Sequence, residues 1–147
     1  MITLRHFCNE DAESVRQHLY PGLSEEDIRN MMDEWNSGLY QGRYFEMFAI
    51  VSGDRIAGYV SLTEHSRSVV SAGIEVCSSE RGKGIAQEAV QMITRHAAEK
   101  GYRIILDQVH RDNPASIRLH EKLGFESDGY VYRNQRNHEV LLYLKTI

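Results

Sequence analysis

Apolar and polar residues follow two different periods along this chain. Short β-rich runs dominate up to residue 77, whereas apolar residues recur every three or four positions after residue 84. The β-rich runs lie at 2–6, 44–51, 56–62 and 69–77. Ser-Gly-Asp-Arg at 52–55 is typical of a hairpin, and consecutive strands without an intervening helix predict an antiparallel meander.

Helix signals divide the remainder of the chain. Asn9 is predicted to cap a helix that ends before Pro21-Gly22, and Ser24 to Asp27 has the form of a capping box. The second helix then ends at Gly38. Two more helices are predicted, one over residues 84–100 and one from Asn113, with Pro114 at its first position, to Gly124.

The later strands give the sheet a mixed character. A strand at 103–109 follows the helix at 84–100, and such a strand-helix-strand unit predicts a right-handed crossover to a parallel neighbour. Further strands are predicted at 125–132 and 139–144, joined by a polar loop at 133–138. We therefore expect an α+β fold in one domain, 1–147, with a sheet of about seven strands and helices on both faces.

Composition narrows the possible functions. The 147 residues carry a net charge of -4 without a basic run, which argues against nucleic-acid binding. Only Cys8 and Cys77 occur, so a disulfide framework is excluded, and no apolar run has transmembrane length. Cys8 lies near His6, but no second pair of ligands has metal-site spacing. The start lacks a signal-peptide pattern, so we expect a cytoplasmic protein. The lack of metal-site spacing and of a long apolar run adds the expectation of no metal and no membrane partner.

The chain is organised around a glycine turn, Ser79 to Ala86, between the strand that ends at 77 and the helix that follows. Gly82 and Gly84 allow a ligand to approach the backbone, and the unpaired amides of the helix start favour an anion. Arg81 and Lys83 add positive charge. The turn lacks the third glycine and distant acid of a Rossmann fingerprint, and no Lys-Ser or Lys-Thr pair follows it as in a P-loop.

Two motifs together carry a family resemblance. Arg81-x-x-Gly84-x-Ala86 is followed by Asn113-Pro114-Ala115-Ser116 and by His120-Glu121-Lys122-Leu123-Gly124-Phe125. This combination resembles the GCN5-related N-acetyltransferase (GNAT) family. The resemblance implies a mixed, mostly antiparallel sheet whose central parallel strands, here 72–77 and 103–109, splay apart to hold the pantetheine arm of acetyl-coenzyme A.

The resemblance also implies a set of coenzyme contacts. Backbone groups of Val76 and Ser78 would contact pantetheine. The pyrophosphate would bind amides of the turn, from Arg81, Gly82, Lys83, Gly84, Ile85 and Ala86. Asn113, Ser116 and Lys122 would complete the site, although Asn113 and Ser116 are also explained as ordinary residues of a helix start. Surface lysines such as Lys83 and Lys122 are weak candidates individually.

The implied reaction is direct attack of a primary amine on the thioester. It requires a base, donors for the tetrahedral oxyanion, and stabilisation of the departing thiolate. Glu75 is the candidate base, since it is the single acid in an apolar strand and faces opposite to Ile74 and Val76, where desolvation would poise it. The alternative is that Glu75 faces solvent.

Two further residues leave alternatives open. His120 stands where many GNAT members have a tyrosine that protonates the leaving thiolate, and it acts either as that general acid or in packing. Cys77 ends the strand beside the coenzyme, so it is either an acetyl carrier in a ping-pong scheme or a small buried hydrophobe. Direct transfer is favoured.

The partners expected are acetyl-coenzyme A and an amine, in a monomer or homodimer. Polyamines, amino sugars, a free amino acid, and a peptide or protein N-terminus all remain compatible as acceptors. Asp27, Asp33 and Glu34 form an acidic helix face that either attracts a cationic amine or is simply solvated. The alternative functions are a non-catalytic acyl-coenzyme A sensor and an interaction domain on the same scaffold.

Overall fold

The computed structural model describes all 147 residues. Its eight strands are β1 (Thr3–Arg5), β2 (Leu39–Tyr40), β3 (Arg43–Ser52), β4 (Arg55–Glu64), β5 (Val69–Val76), β6 (Ile104–His110), β7 (Val131–Arg133) and β8 (Glu139–Thr146). The four α-helices are α1 (Ala12–His18), α2 (Glu25–Trp35), α3 (Ile85–Glu99) and α4 (Pro114–Lys122). Short 3₁₀ turns lie at Asn9–Asp11 and Ser78–Glu80.

The strands form a mixed sheet in the order β1-β3-β4-β5-β6-β8-β7, and β2 pairs with β3 beside this path. Every pairing is antiparallel except that of β5 with β6. The predicted α+β architecture with a central parallel pair is therefore confirmed. The sheet has eight strands rather than about seven because the short β2 was not foreseen.

The parallel strands separate soon after they begin. Val69–Ser71 of β5 pair with Ile104–Leu106 of β6, and no pairing continues beyond these residues. The last part of β5 and the last part of β6 therefore diverge, as the resemblance implied. The connection between the two strands is α3, so the start of that helix lies at the open end of the pair.

A separate hydrophobic core packs against each face of the sheet. The larger core contains Val60, Ile93 and Ile105, all fully buried, and α3 provides much of it. The smaller core lies on the face covered by α1 and α2, where Val15 and Ile28 are fully buried. The cleft therefore opens in a sheet that helices fix from both sides. None of the helices combines the length and apolar character that a membrane crossing requires.

A bulge in β4 shapes the end of β5. Ile50 lies opposite Gly58 and Val51 opposite Ile56, so Ala57 is the extra residue. The Ala57 carbonyl accepts a hydrogen bond from the Cys77 N–H at 2.7 Å. A Cβ at Gly58 would stand 2.0 Å from the Glu75 carbonyl oxygen, so the close approach of β4 to β5 requires glycine there.

Two predicted helix starts are confirmed by their caps. The Ser24 hydroxyl accepts the Asp27 N–H at 3.1 Å, and the Asn113 side chain accepts the Ser116 N–H at 3.1 Å. The prediction that Asn9 caps the first helix is wrong. A 3₁₀ turn precedes α1, because the Asp11 carboxylate accepts the Cys8 N–H at 2.8 Å.

The strand predicted at 125–132 is shorter than expected. Only Val131–Arg133 forms β7, apart from a single bridge between Glu126 and Leu144. The segment between them turns, because the Asp128 carboxylate accepts the Tyr130 N–H at 2.9 Å and Gly129 has a φ of 80°.

Candidate active site

A cleft of about 610 Å³ opens between the end of β5, the glycine turn, the start of α3 and the start of α4. Nine of the predicted site residues line it: Glu75, Val76, Arg81, Gly82, Gly84, Ile85, Ala86, Asn113 and Ser116. Four others do not line it: Ser78, Lys83, His120 and Lys122. Sequence reasoning did not anticipate the lining by Ile74, Glu80, Gln87, Ala115 and Leu119.

The glycine turn has the backbone shape of an anion site. Gly82 and Gly84 have φ values of 77° and 78°, in the left-handed region that side chains resist. No atom lies within 4 Å of a Cβ built at either residue, so the space over the turn is open. Gly84 is the N-cap of α3 and no side chain caps that helix, so its first amides remain free for an anion.

The two cations of the turn are paired with carboxylates. Arg81 donates from Nε to the Val76 carbonyl at 3.2 Å and from Nη2 to Glu75 Oε1 at 3.2 Å. Lys83 Nζ lies 3.0 Å from Glu80 Oε2. The unpaired anion-binding groups of the turn are therefore its backbone amides.

Glu80 holds the glycine turn in place through two ion pairs. Its side chain is only 6% exposed, and Arg55 Nε from the β3–β4 hairpin lies 2.9 Å from its Oε1. Hydrogen bonds from Arg55 and Lys83 lower the pKa of the Glu80 carboxyl. Glu80 thus ties the turn to the β3–β4 hairpin and is the partner of both Arg55 and Lys83.

Glu75 lies at the mouth of the cleft. It is opposite Tyr59 of β4, on the face of the sheet that α1 and α2 cover, whereas Ile74 and Val76 pack against the larger core. The expected alternation is therefore present. The expected desolvation is not, because the side chain is 48% exposed and Arg81 lies beside it.

Aromatic side chains stand next to Glu75 on the same face. The Tyr20 hydroxyl donates to that of Tyr59 at 3.5 Å, and the Trp35 ring centroid lies 6.0 Å from that of Tyr59. Burial and the bond from Tyr20 raise the pKa of Tyr59, so its hydroxyl stays protonated. These residues come from three distant segments, so no local pattern in the sequence indicated that they meet.

His120 is buried on the inner side of α4 and does not line the cleft. It is 1% exposed, with Nε2 2.6 Å from Asp107 Oδ2 and Nδ1 2.8 Å from the Ser116 carbonyl oxygen. Burial alone would lower the pKa of His120, but the hydrogen bond and charge of Asp107 outweigh it and leave that pKa raised. Burial also raises the pKa of Asp107. The geometry favours the packing alternative over direct proton donation to a ligand.

Cys77 and Asn113, two candidate site residues, each have a hydrogen-bond partner within the protein. The Cys77 thiol is buried and donates to the Ile56 carbonyl at 3.8 Å, and burial raises its pKa, so it is a protonated thiol that does not line the cleft. Asn113 caps α4 and also lines the cleft.

No group of three or more His, Cys, Asp or Glu side chains is arranged to hold a metal ion.

The sequence profile of the Acetyltransferase (GNAT) domain family matches residues 2–126. The chain belongs to the GNAT acetyltransferase family. Its relatives include the SPbeta prophage-derived uncharacterized N-acetyltransferase YokL of Bacillus subtilis, 31% identical over 88% of this chain and 78% of the relative. Another is the ribosomal-protein-serine acetyltransferase of Escherichia coli, 30% identical over 84% of this chain and 73% of the relative.

Solved GNAT structures have the same fold. The ribosomal L7/L12 alpha-N-protein acetyltransferase in complex with coenzyme A superposes with a TM-score of 0.85 at 20% identity, covering 99% of this chain and 94% of the other. In this chain His120 is paired with Asp107, an acid at an inward position of β6 between buried Ile105 and Val109. That lone acid among apolar positions was the signal in the sequence for the buried pair.

Proposed function

We propose that this GNAT domain transfers the acetyl group of acetyl-coenzyme A to a primary amine by direct attack, with Glu75 as the base. Acetyl transfer to amines follows from the family and from relatives that are N-acetyltransferases. The observation that carries the proposal is one continuous cleft, in which the open glycine turn, the diverging end of β5 and a carboxylate lie together.

The coenzyme is proposed to bind along the free edge of β5. Residues beyond Ser71 have no partner in β6, so their backbone groups are free to pair with the amides of pantetheine. Val76 and Ser78 are the proposed contacts there, and Arg81 must release the Val76 carbonyl for pantetheine to use it. The amides from Arg81 to Ala86 take the pyrophosphate.

The start of α4 forms the other wall of the cleft. Asn113 and Ser116 line it and are proposed to face the pantetheine arm. Lys83 and Lys122 keep a proposed role toward the coenzyme phosphates, although Lys83 would first have to leave Glu80. The backbone amides therefore carry most of the proposed affinity.

The acceptor amine is proposed to enter from the side of α1 and α2. Glu75 projects to that face beside Tyr20, Trp35 and Tyr59, while its neighbour Val76 lines the coenzyme side. An exposed carboxylate at this border can accept the proton that the amine loses on attacking the thioester. With a buried, protonated thiol at Cys77, direct attack is favoured over an acetyl-cysteine intermediate.

Replacement of Glu75 tests the role of the base. Glu75→Gln keeps the length of the side chain, so we expect coenzyme affinity within a few-fold of wild type and turnover lower by about a hundredfold. Calorimetry gives the affinity and thiol detection gives the turnover, with Glu99→Gln on the exposed side of α3 as the matched control. Turnover of Glu75→Gln near that of the control at every pH would remove Glu75 as the base.

We also propose a cytoplasmic enzyme whose catalytic domain is residues 1–147, as a monomer or homodimer. The two free cysteines support a reducing compartment. A coenzyme sensor differs in one observable, since it would bind acetyl-coenzyme A and release no thiol with any amine.

A further inference from the structure

Arg136 is a cation without a carboxylate partner, in the loop that joins β7 to β8. Arg111 Nη1 lies 2.8 Å from Glu139 Oε2, and Arg133 Nη2 lies 3.3 Å from Glu139 Oε1, so the two neighbouring arginines share one carboxylate. Only the backbone N–H of Arg136 is bonded, to Asn134 Oδ1 at 3.0 Å. The exposed guanidinium is therefore free to bind an anion.

The β7–β8 loop is held against the end of β6 on the face of the sheet to which Glu75 projects. The odd-numbered residues of β6 are buried on the side of the larger core, so Gln108 and His110 lie on the opposite face. Asn134 Nδ2 donates to Gln108 Oε1 at 3.4 Å, and the ring centroids of His110 and His138 are 4.8 Å apart. This loop therefore borders the side of the cleft from which the acceptor amine is proposed to enter.

The charges of Glu75 and Arg136 both act on the Tyr59 hydroxyl. Burial and the hydrogen bond from Tyr20 are the main causes that raise the pKa of Tyr59; the Glu75 carboxylate raises it further, and the Arg136 guanidinium opposes the rise. Charges at a protein surface act mainly within about 8 to 10 Å, so both lie near this hydroxyl. A carboxylate and a free guanidinium thus stand beside one aromatic surface, which Trp35 extends.

We propose that the acceptor is a free α-amino acid, whose carboxylate binds Arg136 and whose amine lies at Glu75. The proposal rests on the proposed acetyl transfer. A guanidinium binds a carboxylate through two parallel hydrogen bonds, and the side chain of the amino acid then lies on the aromatic surface. The neutral amine nitrogen bonds to the acetyl carbon as the C–S bond breaks, and the electron pair of that bond stays on sulfur. Glu75 takes one amine proton, and solvent gives an equal one to the thiolate.

The other acceptors fit this arrangement less well. A polyamine carries only positive charge, which the Arg136 guanidinium repels. An amino sugar has no anion, and at a peptide N-terminus an amide replaces the carboxylate next to the amine. The acidic residues Asp33 and Glu34 line a different cavity, around Thr63, which is about 13 Å along β4 from Tyr59. A polyamine that reached from Glu75 to that cavity is the competing arrangement.

Comparison of amino acids with their amides isolates the carboxylate. The common amino acids, their amides, spermidine and short peptides with a free N-terminus form the panel. We expect kcat/KM for the preferred amino acid to exceed that for its amide at least about tenfold. Arg136→Met should abolish this preference by raising KM for the amino acid, with the amide unchanged, and Arg136→Lys should restore part of it. Arg67→Met is the control, since Arg67 is exposed and unpaired in the turn between β4 and β5, at the far end of β5 from Glu75.

Binding gives a second readout that needs no turnover. Calorimetry on protein saturated with coenzyme A should show an amino acid of the panel binding at least about tenfold more tightly to wild type than to Arg136→Met, and its amide binding both equally. Equal kcat/KM for acids and amides, or a wild-type preference in Arg136→Met, would overturn the proposal, as would faster turnover of spermidine or a peptide than of every amino acid. Binding of an amino acid that depends on Arg136, without thiol release from any acceptor, would refute the acetyl transfer alone.

Discussion

Replacement of Gly58 tests whether the close approach of β4 to β5 positions the cleft residues at the end of β5. This residue pairs with Val76 next to the bulge in β4, and a Cβ there would lie 2.0 Å from the Glu75 carbonyl oxygen and 2.9 Å from the Val76 Cα. Ordinary van der Waals contact begins at 3.4 Å. Gly58→Ala must therefore push the end of β5 back by about 1.4 Å, because both clashing groups are backbone atoms in a close-packed sheet.

The displaced segment contains the proposed base and the proposed pantetheine contact. A misplacement of about 1 Å can cost on the order of a hundredfold in rate, so we expect kcat of Gly58→Ala to fall by about that factor. The forced overpacking should also lower the free energy of unfolding by about 1–3 kcal/mol. Affinity for the pyrophosphate end of the coenzyme should change less, because Gly82 and Gly84 are not displaced.

Single-turnover acetylation and urea unfolding measure the two effects. Gly53→Ala is the control, since Gly53 lies in the same hairpin at a φ of 64° with no atom within 4 Å of its Cβ position. That variant should lose about 1 kcal/mol through backbone strain and keep its kcat. If Gly58→Ala keeps both the wild-type rate and the wild-type stability, the close approach of β4 does not position β5.

Two other predictions concern charged side chains. Lys83→Met should weaken coenzyme A binding roughly tenfold, because it removes the positive charge proposed to face the phosphates and leaves Glu80 half-neutralised. Glu80→Gln in the same chain should recover only the part of this loss that is due to Glu80; calorimetry in which Lys83→Met binds as tightly as wild type would contradict a role of Lys83 toward the phosphates. Burial alone would raise the pKa of Glu46, but hydrogen bonds from Tyr44, His96 and His6 outweigh burial and lower this pKa to about 2. Because this pKa lies below the unfolded value, the stabilisation, about 3 kcal/mol at most, is complete above about pH 4.5 and is lost as the pH falls toward 2. The unfolding free energies of Glu46→Gln and wild type should converge over that range, and a gap that stays constant with pH would contradict this.

Features that depend on neighbouring residues could be predicted from the sequence. The glycine turn, the caps at Ser24 and Asn113 and the β5–α3–β6 crossover each follow from local chemistry and a connection rule. Alternation along β5 likewise gave the correct face for Glu75. Its exposure could not be read from alternation, because it depends on where the strand ends in the sheet and on Arg81 folding back from six residues away.

Features that depend on distant residues were missed. Tyr20, Trp35 and Tyr59 meet only after α1, α2 and β4 pack together. The same holds for His120, whose role changes once Asp107 lies 2.6 Å from it. Asp107 was nevertheless visible as an acid on the inward side of an apolar strand, and such a residue requires a buried partner.

The most direct test of the proposed acetyl transfer is thiol release from acetyl-coenzyme A across a panel of amines. The panel contains a polyamine, an amino sugar, free amino acids and peptides with a free N-terminus, with Gly84→Asp as the paired variant. We expect amine-dependent thiol release with an equal amount of N-acetylated product. For Gly84→Asp we expect a loss of at least about 2 kcal/mol in coenzyme affinity, from strain at a φ of 78° and repulsion of the pyrophosphate. Coenzyme A binding by wild type without thiol release for any amine would contradict the proposed acetyl transfer, and unchanged affinity in Gly84→Asp would contradict the proposed pyrophosphate site.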